Sequence, residues 1–113
     1  MKYDLEERTA KFSEDIIELC KKFRMNAITT VIITQLIKAA TSVGANYAEA
    51  NGASSRKDFM NKIFICKKEA RETKYWLRML MKADSSFEDE CKRLWQEAQE
   101  LTLIFSKISN NKD

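Results

Sequence analysis

The sequence predicts an all-α protein arranged as an up-down-up-down four-helix bundle, and three observations carry that prediction. No proline and only two glycines, Gly44 and Gly52, interrupt 113 residues that are 44% hydrophobic. Such a chain has little with which to break a helix, and it lacks the composition of a collagen-like, loop-rich or disordered one. Apolar residues recur three and four apart in four segments, none with the strict alternation of a half-buried strand. The polar breaks between them are short, which joins antiparallel neighbours. At this length residues 1–113 are expected to form a single domain with one core.

The first helix is expected from about Asp4 to Arg24, with Leu5, Phe12, Ile16, Leu19, Cys20 and Phe23 on one stripe and a solvated outer face. The break Met25-Asn26-Ala27 leads to a second helix over 28–51, whose apolar positions include Ile28, Val31, Ile32, Leu36, Ala39, Ala40, Val43 and Tyr47. Between Lys38 and Glu49 it has no other ionisable group, so it is expected in the middle of an assembly, covered on more than one side. Asn51-Gly52-Ala53-Ser54 reads as a stop, with glycine suited to a left-handed residue after the helix.

Ser55-Arg56-Lys57-Asp58 then has capping-box spacing, and a third helix is expected over 55–83, about 42 Å long. Its seam is Phe59, Ile63, Cys66, Ala70, Thr73, Leu77 and Leu80, broadened by Met60, Phe64, Tyr75, Trp76 and Met79. Ser85-Ser86-Phe87-Glu88-Asp89 supplies a further cap. The last helix is expected over 86–109, on Phe87, Cys91, Leu94, Ala98, Leu101, Phe105 and Ile108, with Asn110 to Asp113 frayed.

The absence of histidine removes Ser-His-Asp and Cys-His nucleophile pairs, His-ligated zinc and the Glu-x-x-His elements of di-iron bundles. Cys20, Cys66 and Cys91 are odd in number, far apart and without Cys-x-x-Cys, so they read as reduced core thiols. No apolar run of signal-peptide type opens the chain, and the longest apolar stretches fall short of the ~20 residues of a membrane span. A cytoplasmic, soluble protein with no membrane partner, no cofactor and no metal is expected.

Two constellations remain. On the second helix Gln35, Ser42, Asn46 and Glu49 lie within about 40° of one another and form one polar line. It reads first as a structural hydrogen-bond network that fixes register and second as a binding groove. Glu69 and Glu72 could join Glu49 as a carboxylate cluster, which without histidine would offer only oxygen ligands.

Charge is the other signal. Residues 55–82 carry nine bases against three acids, a net of +6 in a chain whose formal charge is only +3. Lys67, Arg71, Lys74, Arg78 and Lys82 stack like charges along one face. Glu88, Asp89, Glu90, Glu97 and Glu100 of the fourth helix are expected to answer part of that face. Arg56, Lys57, Lys62 and Lys67 at the other end, opposite Lys107 and Lys112, are expected to stay uncompensated and to suit phosphate backbones. Tyr75, Trp76 and Met79 lie beside the main seam, which assigns them to an oligomer or partner interface.

The stretch Gln35-Leu36-Ile37-Lys38-Ala39-Ala40-Thr41-Ser42-Val43-Gly44-Ala45-Asn46-Tyr47-Ala48-Glu49-Ala50, continued by Ser54-Ser55-Arg56-Lys57-Asp58-Phe59, resembles the signature of the 23S rRNA intervening-sequence (S23) protein family. Lys68-Glu69-Ala70-Arg71-Glu72-Thr73-Lys74-Tyr75-Trp76-Leu77-Arg78 resembles its later part. The resemblance covers roughly residues 9 to 109. It implies a left-handed four-helix bundle, a homo-oligomer with pentameric barrels as a family feature, and a relation to the accessory proteins of diversity-generating retroelements. Through those relatives it implies nucleic-acid binding. Many members have Ala-Glu-Gly at the turn, whereas this chain has Ala48-Glu49-Ala50-Asn51-Gly52, so its second helix is expected to end later.

The function expected from the residues and the resemblance together is a non-enzymatic, oligomeric, nucleic-acid-associated protein. Arg56, Lys57, Lys62, Lys67, Arg71, Lys74 and Arg78 would hold the phosphates of RNA or DNA. The alternative is a protein-interaction scaffold that docks a partner through the apolar stripe.

Overall fold

The computed structural model describes residues 4–110, and among them four α-helices and one short 3-10 turn account for nearly all of the chain. The helices are α1 (Leu5–Cys20), α2 (Ala27–Asn51), α3 (Arg56–Ala83) and α4 (Glu88–Ser109). Of residues 110–113, expected to be frayed, Asn110 instead caps α4 by donating its N–H to the Ser106 carbonyl at 3.0 Å, and 111–113, Lys112 among them, lie outside the described part.

Residue pairs across each seam set the helix directions. Glu6, Thr9 and Ser13 of α1 meet Asn51, Gly44 and Ala40 of α2 in reverse order. Lys62 and Cys66 of α3 meet Glu49 and Val43 of α2. Lys74 of α3 meets Gln99 of α4, and Arg8 of α1 and Lys22 just beyond its end meet Glu97 and Glu90 of α4. Each neighbour is antiparallel, so the chain runs up, down, up, down. The bundle is 46 Å long and 24 by 20 Å across, matching the ~42 Å rise of the 28-residue α3.

The core is the apolar stripe of each helix turned inward. Phe12 and Ile16 of α1, Leu36 and Val43 of α2, Ile63, Leu77 and Leu80 of α3, and Leu94, Leu101 and Phe105 of α4 are essentially excluded from solvent. Threonine hydroxyls that join this core are satisfied locally: Thr9, Thr73 and Thr102 each donate to the carbonyl four residues back. Gly44 lies at the α1–α2 seam, where a Cβ would stand 3.4 Å from the Thr9 carbonyl oxygen, an ordinary van der Waals contact.

Several sequence expectations change at element ends and faces. α1 stops at Cys20 rather than near Arg24, and Lys22 and Phe23 bond back three residues to Leu19 and Cys20, a tightening that swings Phe23 edge-on against Phe87. Asn26 then opens α2 with a full capping box to Thr29. Gly52 does end α2, but with φ −98° rather than in the left-handed region. Ser55 caps α3 by accepting from the Asp58 N–H. The start of α4 moves to Glu88: Asp84, not a serine, caps the preceding turn through the Ser86 N–H.

The α2 faces differ most. Ile28 and Val31 are 66% and 61% exposed, because the helix turns Thr29, Ile33, Leu36 and Ala40 inward instead. α2 is also long and apolar enough to cross a membrane by length and composition, with a mean hydropathy of 1.3, which corrects the expectation that no stretch was. Isoleucine, valine, leucine and alanine carry that value, with Lys38 the one charged residue between Ala27 and Ala48. In this fold its inward side is the middle of the bundle.

Candidate nucleic-acid interface

α3 packs between α2 and α4, and its buried seam, Ile63, Cys66, Ala70, Thr73, Leu77 and Leu80, fixes where every other side chain of the helix points. Two residues beyond a seam position lies about 200° round the helix. Lys68, Tyr75 and Lys82 stand in that relation to Cys66, Thr73 and Leu80. The outward face therefore runs Lys57, Asn61, Phe64, Lys68, Arg71, Tyr75, Arg78 and Lys82, spaced alternately four and three apart, and all eight are exposed.

The expected phosphate-holding residues divide among three faces. Arg56, Lys57, Arg71 and Arg78 are exposed, and Arg71 and Arg78 belong to the outward stripe together with Lys68 and Lys82. Lys62 faces α2, where its Nζ lies 2.8 Å from Glu49 Oε1, and that carboxylate lifts the lysine above its usual range. Lys74 faces α4, donating to Gln99 Oε1 and lying over the Trp95 ring at 5.3 Å from its centroid. Lys67, two turns before Lys74, shares that half-buried flank. Lys68 was not among the expected phosphate-holding residues, and Phe64, expected to broaden the seam, is exposed. The seam residues counted two positions onward would have found Lys68.

The acids of α4 do not answer these bases. Arg8 of α1 grips both Glu97 oxygens at 2.8 Å and Glu100 at 3.0 Å, and those carboxylates hold its guanidinium above its ordinary pKa. Glu90 pairs with Lys22 at 2.6 Å and Glu88 with Lys92 of its own helix at 3.3 Å. Burying Cys91, Leu94, Ala98 and Leu101 turns the acidic side of α4 toward α1. Among the described residues Lys57, Lys67, Lys68, Arg71, Arg78 and Lys82 consequently make no ion pair.

The polar line of α2 comes together in part. Asn46 Nδ2 donates to the Ser42 carbonyl and hydroxyl at 2.8 and 2.9 Å, a local link within one helix. Gln35 and Ser42 instead line a shallow groove of about 260 Å³ with Lys38, Glu69, Glu72 and Trp76. Burial, and then the hydrogen bond and charge of Glu72, push the Glu69 carboxyl above its usual range. Glu49, held by Lys62, does not join these two, and no three carboxylate or thiol side chains converge among the described residues.

Tyr75, Trp76 and Met79 do not form one exposed stripe. Tyr75 points outward at 54% exposure, while Trp76 is half-buried over the α2–α3 groove and meets the Tyr75 ring edge-on at 5.0 Å. Met79 is half-buried as well. Other exposed apolar side chains stand at Met25, Ile28 and Val31 by the start of α2, at Phe64 on α3 and at Leu103 on α4.

The family model of 23S rRNA-intervening sequence proteins matches residues 1–107. A solved structure described as a protein of unknown function from the S23 ribosomal protein family of Bacteroides thetaiotaomicron VPI-5482 superposes with a TM-score of 0.83. It is 28% identical, over 94% of this chain and 98% of that one. No curated protein matches the chain.

Proposed function

Since the chain belongs to the 23S rRNA-intervening sequence protein family, we propose that it is a non-enzymatic, homo-oligomeric protein that binds RNA or DNA backbones through the outward face of α3. The supporting observation is where the acids go. Glu90, Glu97 and Glu100 are taken by Lys22 and Arg8, which leaves Lys68, Arg71, Arg78 and Lys82 in a row without an ion pair, though the charge of Glu69 on the same helix acts on Lys68. Like charges so stacked raise the energy of the free helix, and phosphates relieve it with release of condensed counterions. A formal charge of +3 per chain is modest, and self-assembly multiplies it.

The surface proposed for self-contact is the apolar start of α2, where Ile28 and Val31 stand exposed beside Met25. The same uncharged patch favours the second reading, a scaffold that docks a partner protein there.

Anisotropy of labelled RNA and DNA over a salt series tests the first reading. Lys68→Glu/Arg71→Glu/Arg78→Glu is expected to weaken binding and to flatten the log-log salt slope by roughly 0.7 to 0.9 per lost phosphate contact. Absence of binding at low salt, or binding that this variant keeps unchanged, overturns it. Sedimentation of Ile28→Glu/Val31→Glu reports the assembly, and smaller species than the unaltered protein forms are expected.

A further inference from the structure

The outward face of α3 is not uniformly basic. Phe64 and Tyr75, 52% and 54% exposed, are set into it at positions that solvent, not the core, surrounds. Eleven residues separate them, which places their rings on one face to within about 20° and about 16 Å apart along the axis. Tyr75 is bracketed by Arg71 and Arg78, one turn away on either side, and Phe64 has Lys67 and Lys68 one turn beyond it. Trp76 lies beside Tyr75, the two rings nearly perpendicular with their centroids 5.0 Å apart.

Duplexes hide the faces of their bases, and a row of phosphates on a duplex needs only cations. Exposed rings between cations fit a strand whose bases are unstacked and free to lie on them, in the manner of sequence-tolerant single-strand binders. A protein partner explains the arrangement less well, since the rings are isolated from one another by charge and the continuous apolar patch lies on α2, at Ile28 and Val31. We infer that α3 selects single-stranded over double-stranded nucleic acid, with Phe64 and Tyr75 as the two platforms on which bases stack. This rests on the nucleic-acid reading above and adds to it the strandedness and the part played by the bases.

The test compares a 20-nucleotide single strand, its duplex, and an abasic strand of equal length, as RNA and as DNA where each can be made. Phe64→Ala and Tyr75→Ala are assayed beside the unaltered protein. The single strand is expected to bind more tightly than the duplex. Removing either ring, or the bases, is expected to weaken single-strand binding by roughly 5- to 100-fold while the salt slope stays as it was. Phe64→Tyr and Tyr75→Phe, which keep the rings, are expected to bind as before.

Equal affinity for the abasic strand, or for both alanine variants, in a salt-dependent complex overturns the stacking inference alone and leaves backbone binding standing. The abasic comparison needs no altered protein, so it decides the matter even if a variant fails to fold. Smaller sedimenting species for the two alanine variants would reassign the rings to a contact between copies and likewise overturn it. No binding of any strand at low salt removes both readings together.

Discussion

Cys20, Cys66 and Cys91 show how far a single side chain can be read from its surroundings. Burial pushes their thiols up to about 12, about 12 and about 11, and the Cys66 Sγ donates to the Val43 carbonyl. Thiolate is the reactive form, so all three are expected to resist iodoacetamide at pH 8 in the folded protein and to be alkylated together in denaturant, as mass spectrometry would register. Rapid native labelling of any one would show that its part of the core opens. Glu69 makes the opposite case, a partly exposed carboxyl raised by burial and by Glu72. The folded state holds that proton more tightly than the unfolded chain, so stability is lost as pH rises through the raised value. Glu69→Gln is expected to be the more stable form above it, by less than about 1 kcal/mol given solvent screening, and to lose the advantage as pH falls toward 4.5. Urea unfolding at several pH values measures this. The buried cysteines were legible in sequence because they fall on apolar seams. Glu69 and Glu72 were legible as neighbours, but the departure of Glu49 from them to Lys62 was not, since it depends on the packing of α2 against α3.

At the scale of the element, caps did more to fix boundaries than periodicity. Periodicity alone carries α1 on to Arg24, yet Asn26 and Thr29 bond reciprocally and commit the chain to a new helix. Phe23, apolar and correctly spaced, is buried as a turn residue instead. Ser55 was read correctly because serine three residues before an acid is a local signal, complete within four residues. Removing these caps by Asn26→Ala and Ser55→Ala is expected to cost about 1 kcal/mol each, with the full box at the upper end near 2. The midpoint of urea unfolding is the readout, and an unchanged midpoint would mean that tertiary packing alone holds those ends. Charge on α3 was harder to assign. The line through Lys67, Arg71, Lys74 and Arg78 is real in sequence, but rotation of the helix by one residue moves Lys67 and Lys74 to the α4 flank and brings Lys68 out.

For the molecule as a whole, four amphipathic stripes with short links allowed few solutions, and so the all-α bundle was legible from residue types alone. The destination of the α4 acids was not. It follows from which side of α4 buries Cys91 and Leu94, a choice made only when all four helices close. That closure has its own weak line. α1 and α4, the first and last helices, are not consecutive, and a groove of about 460 Å³ floored by Phe12 and Leu94 runs between them. Arg8 bridges it at one end, and the Lys22–Glu90 pair with the Phe23–Phe87 rings bridges it at the other. α1 is thus held broadly on its α2 side and by two latches on the other, and of the four helices it touches its neighbours least. In hydrogen exchange the amides of α1 are expected to lose protection first, as a separate cooperative unit, and Arg8→Ala is expected to hasten that loss while leaving the central amides of α3 unmoved. The bundle then behaves as a three-helix body with a hinged cover, whose breathing leaves the basic face undisturbed.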